Sequence, residues 1–187
     1  MSKIWITSDT HLGHDREFIW GPRGFGSCAE HDAAIVEKWN SLVSDEDDVY
    51  LLGDVILGDS AHGIELLKQL KGKIHIARGN HDTDKRIQMY KECDNVVEVC
   101  DVYRLKYNKI HFYMSHYPTI TANLEKESIY QCEVNLYGHT HQQSSFYYDL
   151  PYMYHVGMDA HQCQPISLDM IINEIKEEIQ KCKELVE

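Results

Sequence analysis

Five short apolar runs in this chain each stop at an aspartate, an asparagine or a histidine. Lys3–Thr7 leads into Ser8-Asp9-Thr10-His11, and Asp48–Leu52 into Gly53-Asp54. Lys73–Ala77 leads into Arg78-Gly79-Asn80-His81-Asp82, Lys109–Met114 into Ser115-His116, and Val134–Tyr137 into Gly138-His139-Thr140-His141. A donor set of carboxylate, amide and imidazole without thiolate suits Mn, Fe, Co, Ni or Zn, whereas an all-oxygen set suits Mg or Ca. Taken singly, each residue is as readily a helix cap or a loop satisfier. Taken together, they exceed what one open catalytic metal needs and suffice for two if a carboxylate bridges.

Such a cluster forms only if the runs are strands of one architecture. In open α/β sheets ligands bind outside the carboxyl ends of the strands, so these five ends are expected to converge. Asp9 and His11 are two apart, as are His139 and His141. In extended chain, positions i and i+2 project to one side, so each pair is expected to reach a common point. Gly53, Gly79 and Gly138 let the backbone turn sharply or approach closely at those ends.

The rest of the pattern alternates apolar runs with helical stretches, which indicates an α/β class. Further strands are expected at Val96–Val99, Val102–Tyr107, Ser145–Asp149, Met153–Val156 and Pro165–Leu168. Helices are expected at His31–Val43, Ala61–Leu70, Asp84–Lys91 and Leu168–Leu185. The last is an amphipathic, core-packed helix with Leu168, Ile171, Ile172, Ile175 and Ile179 at helical spacing. Thr119–Glu133 follows Pro118 and reads as a loop with a short helix. Phe146–Tyr154 reads as a hairpin turning at Asp149-Leu150-Pro151, its tyrosines serving as strand formers.

With 187 residues, 43% of them hydrophobic and 26% charged, the chain has the composition of one globular domain spanning 1–187. No stretch approaches the ~20 apolar residues of a membrane span. The opening "MSKIWITSDTH" turns polar too early for a signal peptide, so a cytoplasmic location is expected. The six cysteines include no CxxC pair and are read as free thiols. A net charge of −12 disfavours long duplex nucleic acid but not a small anionic substrate whose charge bound metals offset.

In order and spacing, these motifs closely resemble the calcineurin-like metallophosphoesterase superfamily: Asp9-Thr10-His11, Gly53-Asp54, Gly79-Asn80-His81-Asp82, His116 and Gly138-His139-Thr140-His141. The stretch "SDTHLGH" resembles the opening of its small single-domain bacterial and phage members, and "VGMDAHQCQPISLDMI" its closing segment. The resemblance implies a two-sheet β-sandwich flanked by helices. It implies that Asp9, His11 and His141 hold one divalent metal, that Asn80, His116 and His139 hold a second, and that Asp54 bridges them. His81 would face the leaving group and Asp82 would orient it. His14 and Arg23, within a dozen residues of the first ligands, are candidates to reach substrate phosphate. Two such metals, Mn favoured, clamp a phosphoryl group and activate water for in-line attack.

One departure separates the chain from the protein Ser/Thr phosphatase branch. The segment Gly53-Asp54-Val55-Ile56-Leu57-Gly58-Asp59 lacks that branch's phosphate-binding arginine. The expected function is hydrolysis of a small phosphoester, a diester in preference to a nucleotide monoester. A non-catalytic binding scaffold is disfavoured because every motif is intact.

Overall fold

The computed structural model describes residues 2–121, 128–148 and 150–184. In chain order the elements are β1 (Ile4–Thr7), α1 (Glu17–Trp20), α2 (Cys28–Leu42), β2 (Asp48–Leu51), α3 (Ser60–Leu67), β3 (Lys73–Ala77) and α4 (Asp84–Lys91). There follow β4 (Val96–Cys100), β5 (Val102–Tyr107), β6 (Ile110–Ser115), β7 (Glu133–Tyr137), β8 (Phe146–Tyr147), β9 (Leu150–His155), β10 (Ile166–Ser167) and α5 (Leu168–Glu184). They build two five-stranded sheets, ordered β10-β1-β2-β3-β4 and β5-β6-β7-β9-β8. Strands β1 to β4 run parallel, as do β6, β7 and β9, while β10, β5 and β8 pair antiparallel at the edges.

Alternation along the strands explains the layering. Trp5, Val49, Leu51, Ile74 and Ile76 face one way, into a core completed by Ile35, Trp39, Leu67 and Tyr90 of helices α2, α3 and α4. Ile6 and Ala77 turn the other way, with Leu52 just past β2, toward Phe112, Met114, Val134 and Leu136 of the second sheet and Leu168, Ile171 and Ile175 of α5. A sheet buried on both faces needs nearly continuous apolar strands, which is why these runs carry so few polar residues. The molecule is thus the mixed α/β, two-sheet sandwich flanked by helices that the motifs led us to expect.

The differences from the sequence reading have local causes. The four-residue α1 is too short to leave a helical period and was not anticipated. Helix α2 starts at Cys28, before its apolar stripe, because the Ser27 hydroxyl accepts the Glu30 N–H at 3.2 Å. The hairpin is present, but β9 begins at Leu150, where pairing with Tyr147 starts the strand before the buried run does. Between Thr119 and Glu133 the described residues hold a short 3-10 turn, Ile129–Gln131. Residues 122–127, Asp149 at the hairpin tip and Leu185 of the expected last helix lie outside the described residues.

Buried Asp47 fastens the entry to the first sheet. Its carboxylate accepts the Lys3 N–H (2.7 Å), the Ser44 N–H (3.0 Å) and the Trp5 indole N–H (3.1 Å). Burial alone would raise its pKa, but these donors outweigh it and hold the group down at about 2. The folded value lies below the unfolded ~3.9, so the stabilisation is complete above about pH 4 and fades as pH falls toward 2. Asp47→Ala leaves three donors unpaired and should cost on the order of 1–3 kcal/mol at neutral pH. Urea unfolding from pH 7 to 3 should show the gap between parent and variant narrowing only below pH 4. A gap independent of pH would remove the carboxylate from this role.

Candidate metal centre

The expected site residues gather at the carboxyl ends of β1, β2, β3, β6 and β7. The convergence does not come from extended chain, as the two-residue spacing suggested. Asp9 (φ 58°), His11 (φ 47°), Asp54 (φ 53°), His139 (φ 70°) and His141 (φ 50°) all adopt the left-handed backbone conformation. Asp and His tolerate this region better than most residues, and such strain concentrates at functional sites. Each strand ends before the ligand pair, and the turns that follow swing both members inward. Asp9 N–H to the Gly53 carbonyl and His11 N–H to the Asp54 carbonyl, both 3.0 Å, lock the first two loops together. Gly53, at φ 85°, leaves room for the His116 ring, which an added Cβ would strike at 2.7 Å. Gly138 is just as constrained, because a Cβ there would collide with the Asp9 carboxylate.

Two groups of donor atoms result: Asp9, His11 and His141, and Asp9, Asp54 and His116, each with its ligand atoms within 4.8 Å of one another. In the first, the Nε2 atoms of His11 and His141 face each other at 3.2 Å, with Asp9 Oδ1 3.9 and 3.8 Å away. In the second, His116 Nε2 lies 2.9 Å from Asn80 Oδ1 and 3.5 Å from Asp54 Oδ2. The His139 ring adjoins that of His116, centroid to centroid 5.0 Å. Asp9 belongs to both groups, and Asp54 Oδ2, of the second, also lies 4.0 Å from His11 Nε2 of the first.

These residues fit a divalent cation. Acceptor atoms crowd together with few donors among them, an arrangement that a bound cation relieves. His116 Nδ1–H donates to the Leu52 carbonyl at 2.9 Å, which leaves Nε2 with its lone pair toward the cluster. Burial, then neighbouring His141 and Arg23, hold His11 well below the ordinary histidine range, in the neutral form that binds metal. Burial, then His116, lower His139 in the same direction. Burial raises Asp54, partly offset by His116 and the His81 N–H.

His81 extends over this cluster with its side chain 43% exposed and Nε2 3.9 Å from Asp54 Oδ2. Its backbone N–H donates to Asp54 Oδ1 at 2.8 Å. Asp82 is bonded to the loops around His81 and not to its ring. Its carboxylate accepts the N–H groups of Asp54 (2.8 Å), Val55 (3.2 Å) and Gly79 (2.8 Å) and the Tyr90 hydroxyl (2.8 Å). It clasps the β2 and β3 loops and makes none of these bonds to the His81 ring, so it bears on His81 only through the loop that carries it.

Arg23 departs from expectation. Its side chain is 1% exposed and its guanidinium is held by protein groups. Its Nε and one terminal nitrogen grip Asp159 at 3.0 and 2.9 Å, and that same nitrogen donates to the Asp9 carbonyl at 2.8 Å. The other terminal nitrogen meets His31 at 2.9 Å. His14 lies at the edge of the cluster, its ring 6.1 Å from that of His11 and against Phe18, with Nε2 buried and unpartnered by protein.

The sequence reading missed Asp159. Its Oδ2 accepts from His141 Nδ1 at 2.9 Å, the carboxylate–histidine pairing that orients a metal-binding imidazole. Burial opposes its ionisation, but the His141 and Arg23 hydrogen bonds hold it far below the usual carboxylate range. The one signal was its place in "VGMDAHQ", with no spacing to tie it to Gly138-His139-Thr140-His141. Asp159→Asn should weaken metal binding by ~10–100-fold. A competitive chelator titration measures this, and unchanged affinity would make the pairing incidental.

A model of the calcineurin-like phosphoesterase superfamily domain matches residues 2–164. The chain is 30% identical to an uncharacterized protein of Methanocaldococcus jannaschii, over 94% of this chain and 93% of that protein. It is 28% identical to the Gene 66 protein of Mycobacterium phage D29, over 95% of this chain and 99% of that protein. In fold it is similar to the protein of unknown function AQ665 from Aquifex aeolicus, with a TM-score of 0.69, 21% identity, and coverage of 92% and 99%. The matched domain contains every motif that supplies the cluster, and with it this chain belongs to the calcineurin-like phosphoesterase superfamily, whose members are metal-dependent hydrolases of phosphoesters.

Proposed function

We propose that this chain, acting as one domain, hydrolyses small phosphodiesters with two divalent metals, manganese in preference to iron, cobalt, nickel or zinc. The observation that carries the reading is the position of Asp54 Oδ2, 4.0 Å from His11, 3.5 Å from His116 and 3.9 Å from His81. One oxygen thus faces both donor groups and the exposed imidazole. Asp9, His11 and His141 would hold the first cation, Asn80, His116 and His139 the second, and Asp54 would serve both. When bound, the cations supply Lewis acidity toward the phosphoryl oxygens and lower the pKa of the attacking water. The chain itself orients and protonates. His81, fixed through its backbone N–H on Asp54, gives a proton from its ring to the departing oxygen. His14, its ring 6.1 Å from that of His11, is the candidate to approach a phosphoryl oxygen, which its buried Nε2 would reach only by turning the ring outward.

Charge favours the diester. Arg23 is spent on Asp159 and Arg78 pairs with Asp84 at 2.8 Å, which leaves Arg86, bonded to the neutral His81 carbonyl at 2.7 Å, as the guanidinium near His81 without an acidic partner among the described residues. A phosphate monoester brings up to two negative charges and asks for a further cation, whereas a diester brings one. The nucleotide monoesterase reading stands against this and is decided by experiment. A panel of bis(p-nitrophenyl) phosphate, p-nitrophenyl phosphate and cyclic nucleotides, with Mn, Co, Ni, Zn and Mg supplied separately, should show the highest kcat/KM for diesters with Mn. Monoesters preferred under every metal would replace this reading with the monoesterase, and hydrolysis of none would leave the scaffold.

No helix among the described residues is long and apolar enough to cross a membrane. A water-soluble cytoplasmic enzyme is the setting we propose for this chemistry.

A further inference from the structure

Beside the second donor group opens a cleft of about 500 Å³ that the chemistry above leaves unused. Asn80 and His116 line it. Its walls include Tyr113, Tyr117 and Val102, with Asp101 and Arg78 at the rim. Tyr117 is 48% exposed, yet its ring is pinned edge-on against His116 and His139, at centroid distances of 5.1 and 4.9 Å. A half-exposed aromatic ring packed edge-on against two histidines of the cluster offers a flat apolar wall beside the place where a phosphate would bind. Resting on the proposed diester hydrolysis, we infer that this cleft seats the ester group retained on phosphorus, and that this group is an uncharged, aromatic, nucleoside-sized moiety stacked on Tyr117.

Three observations lead there. The first is sidedness. The His81 ring neighbours His11, at 5.8 Å, whereas the cleft opens at His116 and Asn80. If His81 serves the departing oxygen, the substituent on the opposite flank is the one that stays. The second is size and character. The volume falls within the ~300–1,000 Å³ of small-molecule sites, and an aromatic wall beside hydroxyl and carboxylate groups suits a base with a polar edge. The third is charge. Asp101 lines the cleft, and Arg78 there is already paired with Asp84. A second phosphate would meet a carboxylate without a free guanidinium, which disfavours a polynucleotide or a nucleoside diphosphate.

The test uses two diesters with the same charge and the same leaving group, the p-nitrophenyl esters of thymidine 5′-phosphate and of methyl phosphate. The manganese-loaded parent should prefer the thymidine ester in kcat/KM by roughly 5- to 150-fold, the span of stacking one base on one aromatic ring. Tyr117→Ala should bring that ratio close to one, and Tyr117→Phe should preserve it. Equal rates for the two esters in the parent, or a preference that survives Tyr117→Ala, would overturn the assignment. If the parent hydrolyses neither ester, the hydrolytic reading fails. The cleft is then judged by calorimetry with thymidine 5′-methyl phosphate: binding that weakens at least 5-fold in Tyr117→Ala supports it, and absent or equal binding overturns it.

Discussion

Asp54→Ala is expected to lose both metals together and with them hydrolysis, by on the order of 10³-fold or more in kcat/KM. The magnitude follows from the several kcal/mol of charge stabilisation that bound metals supply in such reactions, at 1.36 kcal/mol per tenfold in rate. Asp54 is 1% exposed, and its two oxygens do separate work. Oδ1 receives the His81 N–H at 2.8 Å, and Oδ2 faces His11 and His116. Removal would leave two cations facing each other with less compensating charge, and would release the loop that carries His81. Asp54→Asn keeps the shape and an acceptor for the His81 N–H but not the charge, so it should hold that loop and still lose metal. Metal analysis after manganese loading, beside kcat/KM, checks both variants. Two undisturbed metals in Asp54→Ala would show that Asp54 is not the bridge.

His81→Ala should behave in the opposite way, keeping its metals and losing rate according to the leaving group. A positioned general acid typically contributes ~10²–10⁴-fold. Nitrophenolate leaves as a stable anion and needs that proton least, whereas an alkoxide or ribose oxygen needs it most. The loss should approach the upper end of the range for alkyl or nucleoside leaving groups and be clearly smaller for nitrophenyl esters. The ring's 43% exposure and its place above Asp54 are consistent with reach toward a bound substrate. Loss of a metal in the variant would make His81 a ligand. Equal loss on both substrate classes, with metals intact, would make it a phosphate-positioning group.

The motif residues were legible because each follows an apolar run, and burial on both faces of a parallel sheet writes that run plainly into the sequence. How they converge was not legible. The spacing of Asp9 and His11 fits an extended strand and a pair of left-handed turns equally well, and only the structure distinguishes them. The contacts of Asp82 and Arg23 were not legible for a related reason. Asp82 follows Asn80 by two residues and Arg23 follows His11 by twelve, yet their partners lie elsewhere: Tyr90 and the β2 loop for Asp82, Asp159 for Arg23. Asp159 itself was missed because its partner His141 lies 18 residues away, across β8 and β9. Strand content leaves a local period, whereas a hydrogen bond between loops leaves none.

The dinuclear account is tested most directly by titrating manganese into chelator-treated protein while following bound metal and hydrolysis of bis(p-nitrophenyl) phosphate together. Hydrolysis should be absent without metal and should plateau as bound manganese reaches two per chain. Activity that survives complete chelation, or that is already maximal at one metal per chain, would contradict it.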